Sequence, residues 1–259
     1  MNSGDYLLNV DWLTLYGIQH LSAARDALTP RKSYGWDSEL QHPADTLSKA
    51  DRLKLEGIEF AGKQQHVFGN LILDVQDYGT RQFSVLTHVY WGRERFAILA
   101  AFPRMANMDP ECFQLKVENM WLYKDDCYRM LAYVLGTLHL EVRHISRLDL
   151  CADFNSFHGD LHPIEFIRRF MAGEIKHKGR SHGRVYFRQE AAPAGVTAKC
   201  GDVLNFNALE FGKHSSDARV YLYNKSLELS EEKQKPWIQD CWRAAGLNVD
   251  DVWRLEISM

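Results

Sequence analysis

No stretch of this 259-residue chain approaches the roughly 20 consecutive apolar residues that span a bilayer; the longest runs, such as Phe96 to Phe102, stop far short. Met1 to Asp11 also lacks a basic-then-apolar leader pattern, so the sequence predicts a soluble, cytoplasmic protein with no membrane partner. Cysteine is sparse and unpatterned. Cys112, Cys127, Cys151, Cys200 and Cys241 are odd in number, scattered and never spaced C-x-x-C, which excludes a disulfide framework and a cysteine zinc site and fits a reducing compartment. Internal repeats are missing as well. A composition of 46% hydrophobic, 25% charged and 12% aromatic residues rules out a disordered or fibrous chain, and 30.0 kDa buries a core without a staple.

The net charge of -3 hides an asymmetry. Between Arg168 and Lys225 there are 11 Lys/Arg against five Asp/Glu, with His177, His182 and His214 among them, so the rest of the chain is acidic. A local excess of this kind either steers a polyanion to one surface or is simply a solvated face.

Short period-two segments dominate. Strands are expected at Val10–Gly17, Leu53–Phe60, His66–Val75, Arg81–Trp91, Arg93–Ala101, Phe113–Met120, Val142–Asn155, Arg184–Arg188, Val203–Phe211, Ala218–Asn224 and Val252–Ser258, with Trp91-Gly92-Arg93 marking a tight hairpin. Apolar spacing predicts helices over Asp125–Leu140, Pro163–Ala172 and, apart from Pro236, Glu228–Gly246; Ser22–Ala50 reads as a long loop. The class is α+β: a mostly antiparallel central sheet with helices packed on one face, in one catalytic domain over residues 1–259. The chain stops inside a strand at Met259, which predicts a further C-terminal segment or domain.

Three segments carry candidate chemistry. In Arg147-Leu148-Asp149-Leu150-Cys151-Ala152-Asp153, strand alternation puts Asp149 and Asp153 on one face with Arg147 and Cys151. Carboxylates on one face of a strand repel unless a cation lies near, which suits Mg²⁺ or Mn²⁺; an exposed face with Arg147 as ion-pair partner fits the same pattern. In Arg219-Val220-Tyr221-Leu222-Tyr223-Asn224-Lys225, two phenols and two cations share a face, as a phenolate nucleophile needs, or as half-buried strand aromatics often appear. In Trp253-Arg254-Leu255-Glu256-Ile257, Glu256 is either a third metal ligand or half of a cross-strand ion pair with Arg254.

The succession R-L-D-L-x-x-D, then G-K-x-x-S with R-x-Y-x-Y-N-K-x-x-E, then W-R-L-E resembles replication initiation factors of the Rep_trans type: rolling-circle plasmid initiators, filamentous-phage initiators and some conjugative relaxases. The similarity is best over residues 145–257, and Val10-Asp11-Trp12-Leu13-Thr14 resembles the family's first strand. The resemblance implies a rolling-circle-initiator-like fold and a site-specific single-strand DNA nickase that becomes linked to DNA through a 5′-phosphotyrosine. It places the nucleophile on Tyr223, metal ligands on Asp149, Asp153 and Glu256, and supporting polar groups on Lys225 and Glu228. The family has Arg two residues before that tyrosine; here Tyr221 stands there and Arg219 lies two further back, so Tyr221 shares the candidacy. Single-stranded or hairpin origin DNA, a host helicase and a second copy of the chain are the partners implied. A relaxase using a histidine pair shows His-x-His, which this chain lacks.

Phosphodiester cleavage needs a nucleophile, charge neutralisation and leaving-group stabilisation, and an acid-bound divalent ion supplies the last two. DNA contacts are expected from Lys176, Lys178, Arg180, Arg184 and Arg188, and from Lys213, His214 and Ser216 in the loop before the tyrosine strand. Two other readings remain: an origin-binding or regulatory protein of the same fold that does not cleave, and a metal-dependent phosphodiesterase that uses water.

Overall fold

The computed structural model describes residues 6–20, 30–31, 35–36, 62, 64–158, 160–175, 183–188, 205–212, 218–231 and 234–259. In chain order these form strands β1 (Leu7–Gln19), β2 (Pro30–Arg31), β3 (Gly35–Trp36), β4 (Gln64–Phe68), β5 (Leu71–Val75), β6 (Phe83–Trp91), β7 (Glu94–Pro103) and β8 (Cys112–Val117). Helices α1 (Asn119–Leu122) and α2 (Cys127–Thr137) follow, then strand β9 (Leu140–Phe154) and helix α3 (Pro163–Met171). Strands β10 (Arg184–Arg188), β11 (Asn205–Phe211) and β12 (Arg219–Asn224), helices α4 (Lys225–Glu231) and α5 (Pro236–Ala244), and strand β13 (Trp253–Ser258) complete the order. The class is α+β with antiparallel pairing.

Two compact units divide the chain: a terminal unit of Met1–Asp11 and Asp149–Met259, and a central unit of Trp12–Leu148. β1 and β9 contribute residues to both.

In the central unit the strand order is β9-β1-β8-β7-β6-β5-β4. The β6–β7 hairpin turns where expected, with Trp91 opposite Glu94 and Gly92 at φ 60°, the left-handed value that a two-residue loop needs and glycine takes without steric cost. His66–Val75, expected as one strand, is instead the arms of a second hairpin: Phe68 pairs with Leu71 around Gly69 and Asn70. Apolar residues continue on both sides of that dipeptide, so periodicity alone hides the turn. α2 buries Cys127, Leu131 and Val134, the i, i+4, i+7 stripe of an amphipathic helix. The expected strand Leu53–Phe60 lies outside the described residues, as does most of the Ser22–Ala50 loop, of which Pro30–Arg31 and Gly35–Trp36 form the short β2–β3 pair.

In the terminal unit the order is β10-β11-β12-β13 and then the end of β9. One face of these strands is apolar. Phe154, Leu209, Leu222 and Trp253 pack there with Ile167 of α3, flanked by Phe157, Ile164, Phe166 and Phe170; each fully buried side chain of this size contributes about 1.5–3 kcal/mol. α3 is bounded as its sequence requires. His162 Nδ1 accepts the Ile164 N–H, Pro163 occupies the first turn, and Gly173 at φ 77° ends it. The helical stretch expected over Glu228–Gly246 is two helices, α4 and α5, with Pro236 opening the second. The opposite face of the strands carries the polar residues.

Candidate active site

Cross-strand partners share a face, so register decides which of the candidate residues meet. Across β12 and β13, Tyr223 stands opposite Arg254 and Tyr221 opposite Glu256. Across β13 and β9, Arg254 stands opposite Asp153, Glu256 opposite Cys151 and Ser258 opposite Asp149. The three motif segments therefore assemble on the polar face of the terminal unit.

The Tyr223 hydroxyl is held from two sides. It donates to Glu256 Oε2 at 3.1 Å and accepts from Lys225 Nζ at 3.1 Å. Lys225 in turn donates to Glu228 Oε2 at 2.6 Å, and its side chain is only 2% exposed. Asn224 explains how the lysine arrives there: its Oδ1 accepts the Leu227 N–H at 2.8 Å, capping α4 at the point where β12 ends. The Y-N-K-x-x-E run is thus a strand end, a helix cap and a buried cation with its counter-charge.

Electrostatics set the protons. Burial pushes the Tyr223 phenol well above its ordinary value, the charges of Glu256, Glu228 and Asp11 add to the rise, and Arg254 opposes it. Burial also raises Glu256, with Asp11 and Asp149 adding to it against Arg254 and Lys225. A carboxyl so raised is a stronger base than an ordinary glutamate, and it already accepts the phenol proton. Tyr221 stacks on Tyr223 at 4.6 Å and 24°, and burial raises its phenol too.

Beside them, Arg219 lies 4.9 Å from the Tyr221 ring centre and donates Nε to Glu210 Oε1 at 2.7 Å. Glu210 accepts the Tyr186 hydroxyl at 2.5 Å. Burial alone would raise this glutamate, but the bonds from Tyr186 and Arg219 and the charges of Arg219 and Arg184 outweigh it and hold the group below its ordinary value.

The acids are arranged differently from a metal cage. Asp153 spends both carboxylate oxygens on Arg254, Nε to Oδ1 at 2.6 Å and Nη2 to Oδ2 at 2.7 Å, and Oδ2 also accepts Trp242 Nε1 at 2.7 Å. Arg254 Nη1 reaches Asp11 Oδ1 at 2.5 Å. The cation among these carboxylates is a guanidinium contributed by the W-R-L-E segment itself. Asp153 is therefore not disposed as a metal ligand, and the described residues contain no group of three His, Cys, Asp or Glu side chains able to hold a metal ion. Asp149 is buried on the same face and Glu256 is bonded to Tyr223.

Of the expected DNA contacts, Arg184 is exposed on β10 beside Glu210. The Arg188 side chain and all of Lys176, Lys178, Arg180, Lys213, His214 and Ser216 lie outside the described residues. Sequence reasoning missed Asp11, Glu210 and Trp242. Each is one polar group in an ordinary strand or helix pattern, recognisable only once its partner is known. It also missed Lys235, whose ammonium is lowered by burial and by Lys225 and Arg254, with Asp11 and Glu228 opposing.

No protein-family model matches the chain, and no curated protein does. Among solved structures it is similar to a rolling circle replication initiator protein from Geobacillus stearothermophilus, with 14% identity and a TM-score of 0.48, covering 98% of this chain and 74% of that one.

Proposed function

We propose that this chain is a replication initiation protein that cuts one strand of origin DNA, with Tyr223 as nucleophile, to open rolling-circle replication or conjugative transfer. The observation that carries the reading is the Tyr223 hydroxyl held between a buried lysine and a proton-accepting glutamate, each contributed by a motif of the resemblance. The phenol oxygen attacks phosphorus, its proton passes to Glu256, the bond from phosphorus to the 3′-oxygen breaks, and that oxygen takes the proton from Glu256 to leave as a 3′-hydroxyl. The DNA 5′-phosphate stays on Tyr223. Lys225 stabilises the negative charge that develops on the phenol oxygen, and Arg219 exchanges Glu210 for the phosphate.

The burial of Tyr223, 8% exposed beneath Tyr221, favours a second reading in which the protein binds origin DNA without cutting it. The two part in one experiment. Wild type, Tyr223→Phe and Tyr221→Phe are each incubated with a 3′-end-labelled randomised pool of single-stranded DNA and resolved under denaturing conditions. Protein-linked label in wild type and Tyr221→Phe but not in Tyr223→Phe supports cleavage by Tyr223. Label that survives Tyr223→Phe overturns that assignment, and DNA binding without any linked label selects the second reading.

A further inference from the structure

The polar face of the terminal unit continues past Tyr223 to β10, and there it carries an aromatic feature that no motif of the resemblance explains. Register sets Tyr186 of β10, Ala208 of β11 and Tyr223 of β12 in one line across the sheet. Tyr221 links the two phenols: its ring is stacked on Tyr223 and perpendicular to Tyr186, with centres 6.4 Å apart and planes at 89°. The three rings lead from the buried hydroxyl out to solvent, since Tyr223 is buried, Tyr221 half-buried and Tyr186 41% exposed. An exposed tyrosine ordinarily keeps its hydroxyl in water. That of Tyr186 instead donates to Oε2 of Glu210, whose side chain is buried, while Glu210 Oε1 accepts from Arg219. Arg184 stands opposite Glu210 in register and adds a second positive charge beside it.

We infer that Tyr186 is a stacking platform for a base of the single DNA strand, beside the phosphate that Tyr223 attacks. A ring anchored through its hydroxyl has given up side-chain freedom before the ligand arrives, so less entropy is lost when a base settles on it. Stacking on an aromatic ring accepts any base, which suits a residue that positions the strand and leaves its sequence to be read elsewhere. Tyr186 and Tyr223 are two strand spacings apart, about 9–10 Å, so a strand with its phosphate at Tyr223 brings an adjoining base to Tyr186. The acid that holds the ring does not turn the strand away. Its charge is met by bonds from Tyr186 and Arg219, and Arg184 stays beside it when Arg219 moves to the phosphate. The choice of DNA as the ligand rests on the proposed function; the anchoring of the ring does not.

Fluorescence anisotropy on the full-length Tyr223→Phe protein, which lacks the proposed nucleophile, tests the inference. Two labelled probes of equal length are titrated at several salt concentrations: oligothymidylate, and a phosphodiester chain of abasic deoxyribose. Adding Tyr186→Leu should weaken oligothymidylate binding by on the order of tenfold and leave the abasic chain unaffected. The slope of log affinity against log salt should stay the same, because no charge is removed. Tyr186→Phe keeps the ring and loses only its anchor, so its affinity should fall between the parent and Tyr186→Leu, and Tyr186→Trp should bind more tightly than Tyr186→Leu. Tyr128→Leu, which removes an exposed ring from α2, should bind both probes as the parent does. Unaltered oligothymidylate binding in Tyr186→Leu overturns the inference, as does equal weakening for both probes or the same loss in Tyr128→Leu. Thermal unfolding of each variant checks that it is folded; should Tyr186→Leu fail to fold, the β-branched Tyr186→Ile takes its place. A parent that binds neither probe overturns the inference together with the proposed function. Absence of linked label in otherwise wild-type protein, beside an intact Tyr186 effect, removes the cleavage and leaves the platform.

Discussion

Arg254 and Asp153 face each other across β13 and β9 as a two-point ion pair in which neither side chain reaches solvent. A buried guanidinium and carboxylate are stable there because hydrogen bonds back the pair on both sides: Asp11 takes a third N–H of the arginine and Trp242 donates to the aspartate. Removing Asp153 takes two acceptors from a buried guanidinium. Asp153→Ala is expected to cost about 3–5 kcal/mol, and Trp242→Phe about 1–3 kcal/mol, in urea unfolding. A metal-ligand role for Asp153 predicts instead a loss that appears only when divalent ions are present.

Lys225 should behave in the opposite way. Its ammonium is buried against Tyr223 and Glu228, and a methionine of similar length fills the same space without a charge to desolvate. Lys225→Met is therefore expected to unfold within about 1 kcal/mol of wild type or above it. Formation of the DNA-linked product should fall by about a hundredfold or more. Chemical unfolding and single-turnover labelling, run on the same preparation, separate these effects; parallel losses in both would make Lys225 purely structural.

The strands of the terminal unit were legible because each alternates cleanly, and alternation alone placed Tyr221, Tyr223, Asp149, Asp153 and Glu256 on polar faces. It could not supply partners. Periodicity fixes the face that a side chain occupies, whereas register fixes which side chains meet, and register depends on turns such as Gly69-Asn70, which the apolar residues on both sides conceal. Repulsion between acids points to a cation without naming it: the sequence offers a divalent ion or Arg147 for Asp153 and pairs Arg254 with Glu256, whereas the structure puts Arg254 on Asp153. Asp11 lies 243 residues from Arg254 in sequence, a separation that local spacing cannot bridge.

Gly17 tests the packing of the central unit. A Cβ there would lie 2.0 Å from the Glu141 carbonyl oxygen and 2.8 Å from Phe113 Cε1, too close for either to yield without moving backbone. Gly17→Ala is expected to destabilise by about 1–3 kcal/mol through overpacking. A shift of the urea midpoint at constant slope would show it, and an unchanged midpoint would mean that β1 and β9 separate more easily here than the geometry indicates.

Two glutamates on one sheet face should give pH dependences of opposite sign. Glu210 is held below its ordinary value of 4.5, so its ionised form binds the fold more favourably than it does the unfolded chain. That contribution is complete above the ordinary value and disappears as pH falls through the lowered one. Glu256 is raised above 4.5, so the folded protein holds its proton more tightly than the unfolded chain does, and stability is lost as pH rises from the ordinary value through the raised one. Glu210→Gln removes charge-assisted bonds from Arg219 and Tyr186, so its deficit against wild type should widen as pH rises through the lowered value of Glu210 and level off above 4.5. Glu256→Gln keeps an acceptor for Tyr223 and should gain on wild type over the interval above about 4.5. Urea unfolding of the three proteins between about pH 3.5 and 7 measures both differences. The same substitution should abolish the acidic limb of DNA-linked product formation, because wild-type Glu256 accepts the Tyr223 proton only while ionised. Differences that run parallel in the two variants would mean that Glu256 is not the raised carboxyl of this face, and the proton-accepting role would pass to another of its acids.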